Sequence, residues 1–156
     1  GCYGGYVVQL AKADGLRVIA DAAESDVELV RSLGADEVVE RGDDIADKIR
    51  ELVPAGVDGL ADGAVQNELA VAAVRDGGAY ASVRFWSPPP ERSITFHKTL
   101  VSAYDHRADL LEVLRSQVED GRLTLRVAAT FPPEQAAEAH RRLEAGGTRG
   151  RLVITF

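Results

Sequence analysis

A glycine turn opens a helix, and a short β-branched run after it stops on an acid; this is the feature that most constrains the chain. Gly1-Cys2-Tyr3-Gly4-Gly5 leads into Tyr6-Val7-Val8-Gln9-Leu10-Ala11-Lys12, and Leu16-Arg17-Val18-Ile19-Ala20-Asp21 follows. In such a unit the amides at the helix N-terminus attract a pyrophosphate. The acid ending the next strand accepts hydrogen bonds from ribose hydroxyls. The full fingerprint is G-x-G-x-x-G after a strand. Gly1-Cys2-Tyr3-Gly4 carries its second half, with no strand before it. Gly1 then lets the backbone approach the phosphates and Gly4 lets the helix pack close to the sheet. The first glycine and first strand are expected upstream of residue 1. Asp21 falls about twenty residues from where that first glycine belongs.

Composition narrows the class. At 156 residues, 46% hydrophobic and 28% charged, the chain is expected to be one soluble globular domain. No apolar run approaches the ~20 residues that span a bilayer, and no signal peptide opens the sequence. A net charge of −7 with scattered basic residues argues against a nucleic-acid surface. One cysteine excludes an intrachain disulfide and a multi-cysteine metal site. A reducing cytoplasm is the expected location.

Periodicity predicts helices and strands in alternation. Residues 4 to 13 read as helix and 16 to 21 as strand. Ser25-Asp26-Val27-Glu28 reads as a capping box opening a helix that ends at Gly34. A strand at 36 to 40 precedes a helix with Ile45, Ile49 and Leu52 or Val53 on one face. A strand at 57 to 62, a helix from about 66 to 75 and a strand at 79 to 85 follow. Pro88-Pro89-Pro90 predicts an extended loop. Strand is expected at 99 to 104, helix at 105 to 120, strand at 123 to 128, helix from Pro132 to Ala145 and strand at 151 to 156. This alternation makes parallel βαβ units, hence an α/β fold with a doubly wound Rossmann-type sheet.

Several segments together resemble the medium-chain dehydrogenase/reductase superfamily, closest to its zinc-independent quinone oxidoreductase-like branch. They are Val8-Gln9-Leu10-Ala11-Lys12, Ser32-Leu33-Gly34-Ala35-Asp36-Glu37-Val38-Val39, Val57-Asp58-Gly59-Leu60-Ala61-Asp62-Gly63-Ala64 and Gly77-Gly78-Ala79-Tyr80-Ala81-Ser82-Val83. Ala136-Ala137-Glu138-Ala139-His140 and Gly146-Gly147-Thr148-Arg149-Gly150-Arg151-Leu152-Val153 complete the set. The resemblance covers nearly the whole chain. It implies an N-terminally truncated dinucleotide-binding domain over 1–130, whose sheet lacks its first, central strand. It also implies a C-terminal helix and strand over 131–156 that would pack on a missing catalytic domain. Family members commonly form homodimers edge to edge, here through Thr99–Tyr104.

The site residues follow. Gly1, Cys2, Tyr3 and Gly4 form the glycine turn. The Asp21 carboxylate would hold the adenine ribose and repel a 2′-phosphate. The loop from Ala22 to Asp26 carries no base, so NAD(H) is favoured, while Arg41 after the next strand leaves NADP(H) possible. Asp62, Gly63, Ala64, Val83, Arg84 and Phe85 lie at C-terminal strand ends, where ligands bind in open α/β sheets. The resemblance puts them on the nicotinamide side. Arg149 reads more readily as a solvated side chain than as a phosphate contact, and Trp86 is balanced between pocket wall and loop cover. His97, His106 and His140 show no metal spacing, and no zinc site is expected.

The implied function is the nicotinamide-cofactor portion of an oxidoreductase that transfers hydride to a quinone, enone or carbonyl acceptor. The polypeptide alone is expected to turn nothing over, and no catalytic acid or base can be named. The competing readings are a fragment of a zinc-dependent alcohol dehydrogenase and a non-catalytic nucleotide-binding or scaffold module.

Overall fold

A computed structural model describes residues 1–156. Helix α1 (Cys2–Ala13) leads to β1 (Ile19–Ala22), α2 (Val27–Ser32), β2 (Glu37–Glu40), α3 (Ile45–Leu52), β3 (Val57–Asp62), α4 (Glu68–Val71), β4 (Val74–Ser82) and β5 (Thr95–Lys98). Then come α5 (Ala108–Glu119), β6 (Val127–Phe131), α6 (Ala136–Glu144) and β7 (Arg151–Ile154). Every strand pair is parallel.

The strands form three sheets, β1-β2, β3-β4-β5 and β6-β7. Set against the doubly wound order 3-2-1-4-5-6, the first two sheets are its two arms without the strand between them. The α/β class and the absent central strand therefore stand as the sequence indicates.

Two apolar clusters hold the arms. Ile45, Ala46 and Ile49 of α3 pack with Ala70, Val71, Val74, Tyr80 and Ile94. A smaller cluster joins Val8 of α1 to Val18 and Ala35. Burying one such Ile side chain contributes about 1.5–3 kcal/mol.

Some expectations are corrected. The helix expected over 66–75 is the single turn α4, because Val74 already pairs with Val57 in β3. Two arginines stop it: Arg50 donates to the carbonyls of Ala72 and Val74, and Arg92 to those of Val71 and Val74. The strand expected at 99–104 lies earlier, at β5, where Phe96 packs against Tyr80 and Trp86; residues 101–103 form a short 3-10 turn. The strand expected at 123–128 is displaced to β6.

The Ser25–Glu28 capping box does not form. Residues 24–26 make a 3-10 turn, Arg149 engages Ser25, and Glu28 pairs with Arg31.

Candidate functional site

Helix α1 starts at Cys2 with Gly1 as its N-cap, no side-chain cap and no acid in its first turn. Its first amides thus have no side-chain acceptor, the condition in which a helix end attracts an anion. A Cβ built on Gly1 or Gly4 meets nothing within 4 Å. Close packing falls instead on the buried Gly5, where a Cβ would lie 3.2 Å from Leu33 and 2.6 Å from Arg126. Gly5 rather than Gly4 is thus the glycine of this turn with close side-chain neighbours.

The parallel register of β1 and β2 sets Asp21 beside Val39 and Ala22 beside Glu40. Arg41, one residue further on, donates its backbone N–H to the Ala22 carbonyl (3.1 Å) and its Nε to Asp21 Oδ2 (2.7 Å). Oδ1 of Asp21 takes no protein hydrogen bond. Ala22 is fully buried.

The loop after β1 receives a cation from far along the chain. Arg149, 123 residues away, donates to both carboxylate oxygens of Asp26 at 2.7 and 3.1 Å, and its Nη2 reaches the Ser25 hydroxyl at 3.3 Å. That bond holds the Asp26 carboxyl below the ordinary aspartate range. Arg149 is thus paired rather than solvated. No local pattern marks this residue, since the contact depends on how β6 and β7 return to the β1 loop.

Asp62 ends β3 and is only 3% exposed. Oδ1 accepts the Ala64 N–H at 3.0 Å; Oδ2 accepts the Asn67 N–H at 2.9 Å and the Tyr80 hydroxyl at 2.8 Å. Burial alone would raise its pKa, but these donors outweigh it and hold the carboxyl below the ordinary range. Burial first, then the bond to Asp62, pushes Tyr80 well above a free phenol. The turn Asp62 organises is strained: Val65 has φ 61° and Asn67 φ 50°. A β-branched residue in the left-handed region is an outlier of the kind that concentrates at ligand sites.

Tyr3 links the two segments. Its ring occupies the space a Cβ at Gly63 would need. Its hydroxyl pKa is raised by burial and by the charge of Asp62. The glycine turn therefore meets the end of β3.

At the end of β4, Val83 donates its N–H to the Asp62 carbonyl at 3.4 Å, and Arg84 donates its N–H to the Ser82 hydroxyl at 3.2 Å. Phe85 has φ 53°, is 56% exposed and carries Lys98 above its ring. Trp86 packs on Tyr80 and Phe96 and so covers the core.

The structure thus gathers the glycine turn and Asp62–Ala64 through Tyr3, and joins Asp21 to Arg41; Val83 is tied to the end of β3. Arg84 and Phe85 project from an exposed turn. A nicotinamide dinucleotide fits this donor set: uncapped helix amides, unobstructed Gly1 and Gly4, and a carboxylate with one open oxygen.

The zinc-binding dehydrogenase profile matches residues 33–154. The chain belongs to that family. It lies within the medium-chain dehydrogenase/reductase superfamily. An NAD-dependent alcohol dehydrogenase is 30% identical over 97% of this chain and 47% of its own, with a TM-score of 0.79. A mycobacterial quinone oxidoreductase is 24% identical over 97% of this chain and 53% of its own, with a TM-score of 0.81. A mycobacterial protein complexed with NADPH is 24% identical over the whole chain and 54% of its own, also at 0.81. The last two likenesses speak to the fold. The chain spans about half the length of these structures. No curated protein sequence matches it. The family's description names zinc, but no group of three or more His, Cys, Asp or Glu side chains here is placed to hold a metal. No helix is long and apolar enough to cross a membrane.

Proposed function

We propose that this chain binds the nicotinamide dinucleotide of an oxidoreductase that delivers hydride to a quinone, enone or other carbonyl acceptor. The observation carrying this reading is the α1 N-terminus, uncapped and unobstructed, with Tyr3 laid against the end of β3. The first-turn amides would hold the pyrophosphate, and the open Oδ1 of Asp21 would accept an adenine-ribose hydroxyl. Asp62–Ala64 and Val83–Phe85 would border the nicotinamide. The bound cofactor supplies the hydride; the protein binds it, orients it and keeps water away.

NAD(H) is the favoured cofactor. Arg41 takes only Oδ2 of Asp21, so it fixes the carboxylate without closing its second oxygen. NADP(H) is the second reading, favoured by the two arginines beside the β1 loop, Arg41 and Arg149. Binding it would require Arg41 to leave Asp21 for a 2′-phosphate.

Residues 1–130 would form the cofactor domain and 131–156 a segment that packs on a catalytic domain. The assembly would be a cytoplasmic homodimer, joined edge to edge near the outer strand β5, and the polypeptide alone would be inactive. Titration with NADH and, separately, NADPH, followed by Trp86 quenching, tests the cofactor reading. Tighter NADH binding supports it; tighter NADPH binding transfers the assignment to Arg41.

A further inference from the structure

The loop between Asp21 and α2 is held at both ends. At its start Ala22 is buried, and its carbonyl accepts the Arg41 N–H at 3.1 Å. At its end Arg149 grips Asp26 through both carboxylate oxygens, at 2.7 and 3.1 Å, and the Ser25 hydroxyl at 3.3 Å. The bond from Arg149 is the main cause that lowers the Asp26 pKa, and the charge of Arg41 lowers it further. The gripped carboxylate therefore lies within electrostatic range of the Asp21–Arg41 pair.

Arg149 is itself braced. Its Nη1 donates to the Gly147 carbonyl at 2.6 Å, on its own turn. The next residue, Gly150, has φ 154°, and a Cβ there would lie 2.8 Å from the Ala128 nitrogen and 2.9 Å from the Arg126 carbonyl oxygen. The turn before β7 thus lies tight against the chain entering β6, and it presents the guanidinium from a fixed mount.

The grip opposes what the local sequence favours. Ser25 and Glu28 have the spacing of a capping box, which needs Ser25 as N-cap with its hydroxyl on the Glu28 N–H. Helix α2 instead starts at Val27, with Asp26 as N-cap and no side-chain cap, while Glu28 pairs with Arg31. The Ser25 hydroxyl and Asp26 carboxylate, both good caps, are drawn to Arg149. Two arrangements of one loop compete: capped by Ser25, or gripped by Arg149.

We infer that Arg149 is a positioning residue for the adenosine half of the cofactor: from the C-terminal segment it holds Ser25 and Asp26 out of the capping box and keeps the loop after Asp21 in the form that borders the ribose. This role rests on the dinucleotide reading above. Arg149 acts through the loop and needs no contact with the cofactor.

Fluorescence titration of the full chain with NADH, beside amide spectra of the free chain, tests the role in Arg149→Ala and Arg149→Lys. A helix cap biases such an equilibrium about fivefold, and affinity falls with the fraction of chain in the binding form, so Arg149→Ala should weaken NADH binding by about that factor. The free-chain Glu28 amide should shift as it gains the Ser25 hydroxyl. Arg149→Lys, which keeps a cation on Asp26, should recover part of the affinity. The pair is partly exposed, so the melting temperature should move little in either variant. Wild-type affinity in Arg149→Ala, an unmoved Glu28 amide, or no recovery in Arg149→Lys would overturn the role and leave the dinucleotide reading intact. A wild-type chain that binds no NADH would overturn both.

Discussion

Arg41 donates its Nε to Oδ2 of Asp21 at 2.7 Å, across the parallel pair β1-β2. The acid expected to meet a ribose is thus already oriented by the base expected to meet a 2′-phosphate. The pair is partly exposed, so its own stability contribution is small, about 0–1 kcal/mol. Its effect is on which oxygen is left open.

Asp21→Ala should weaken NADH binding about tenfold, a loss of ~1.4 kcal/mol. Arg41→Ala should change NADH affinity far less and should weaken any NADPH binding. Fluorescence titrations of both variants check this. An Arg41→Ala loss equal to that of Asp21→Ala would mean that the pair acts only as a unit.

Tyr80→Phe removes one donor from the buried Asp62 carboxylate and should cost about 1–3 kcal/mol of stability, measured by urea unfolding. The pH dependence follows from the sign of the shift. A carboxyl with a lower pKa folded than unfolded gives stability that is fully present above the unfolded value, about 3.9. That stability is lost as pH falls through the folded value. Melting temperatures should therefore hold for this group down to about pH 4 and drop below it. The drop should be shallower in Tyr80→Phe, where one of the donors depressing the Asp62 pKa is gone.

The alternation of strands and helices and the missing central strand were legible because periodicity and turn residues report on backbone locally. Asp21 lies one residue before the end of β1, where the spacing of one βα unit from the glycine turn puts it, although the strand begins at Ile19 and not at Leu16. The role of Asp62 was not: it depends on the Tyr80 hydroxyl, 18 residues on, arriving across β3-β4. Arg149 was illegible for the same reason at longer range. Strand β5 was missed because Thr95-Phe96-His97-Lys98 is polar on an edge, while the more apolar stretch after it forms a 3-10 turn. The capping box failed because Ser25 and Asp26 had a stronger partner in Arg149.

Gly63→Ala should destabilise the chain by about 1–3 kcal/mol, because its Cβ would enter the Tyr3 ring. In the double variant Tyr3→Ala/Gly63→Ala the second change should cost much less, since the colliding ring is gone. Additive losses in a double-mutant cycle would show that Tyr3 does not sit on this turn.

Gly56 and Gly15 both have positive φ, 87° and 78°. Around Gly56 a Cβ would also lie 2.7 Å from the Arg75 nitrogen and 2.9 Å from the Ala73 carbonyl oxygen, whereas Gly15 faces open space. Gly15→Ala should cost about 1 kcal/mol from conformation alone. Gly56→Ala should cost at least twice that, by equilibrium unfolding.

The central claim is that the α1 N-terminus and the ends of β1 and β3 make one dinucleotide site. Amide-shift mapping with NADH tests it most directly. The account predicts saturable shifts at Cys2, Tyr3, Gly4, Ala22 and Ala64 that weaken in Asp21→Ala. No saturable shifts, or shifts confined to residues outside these three segments, would contradict it.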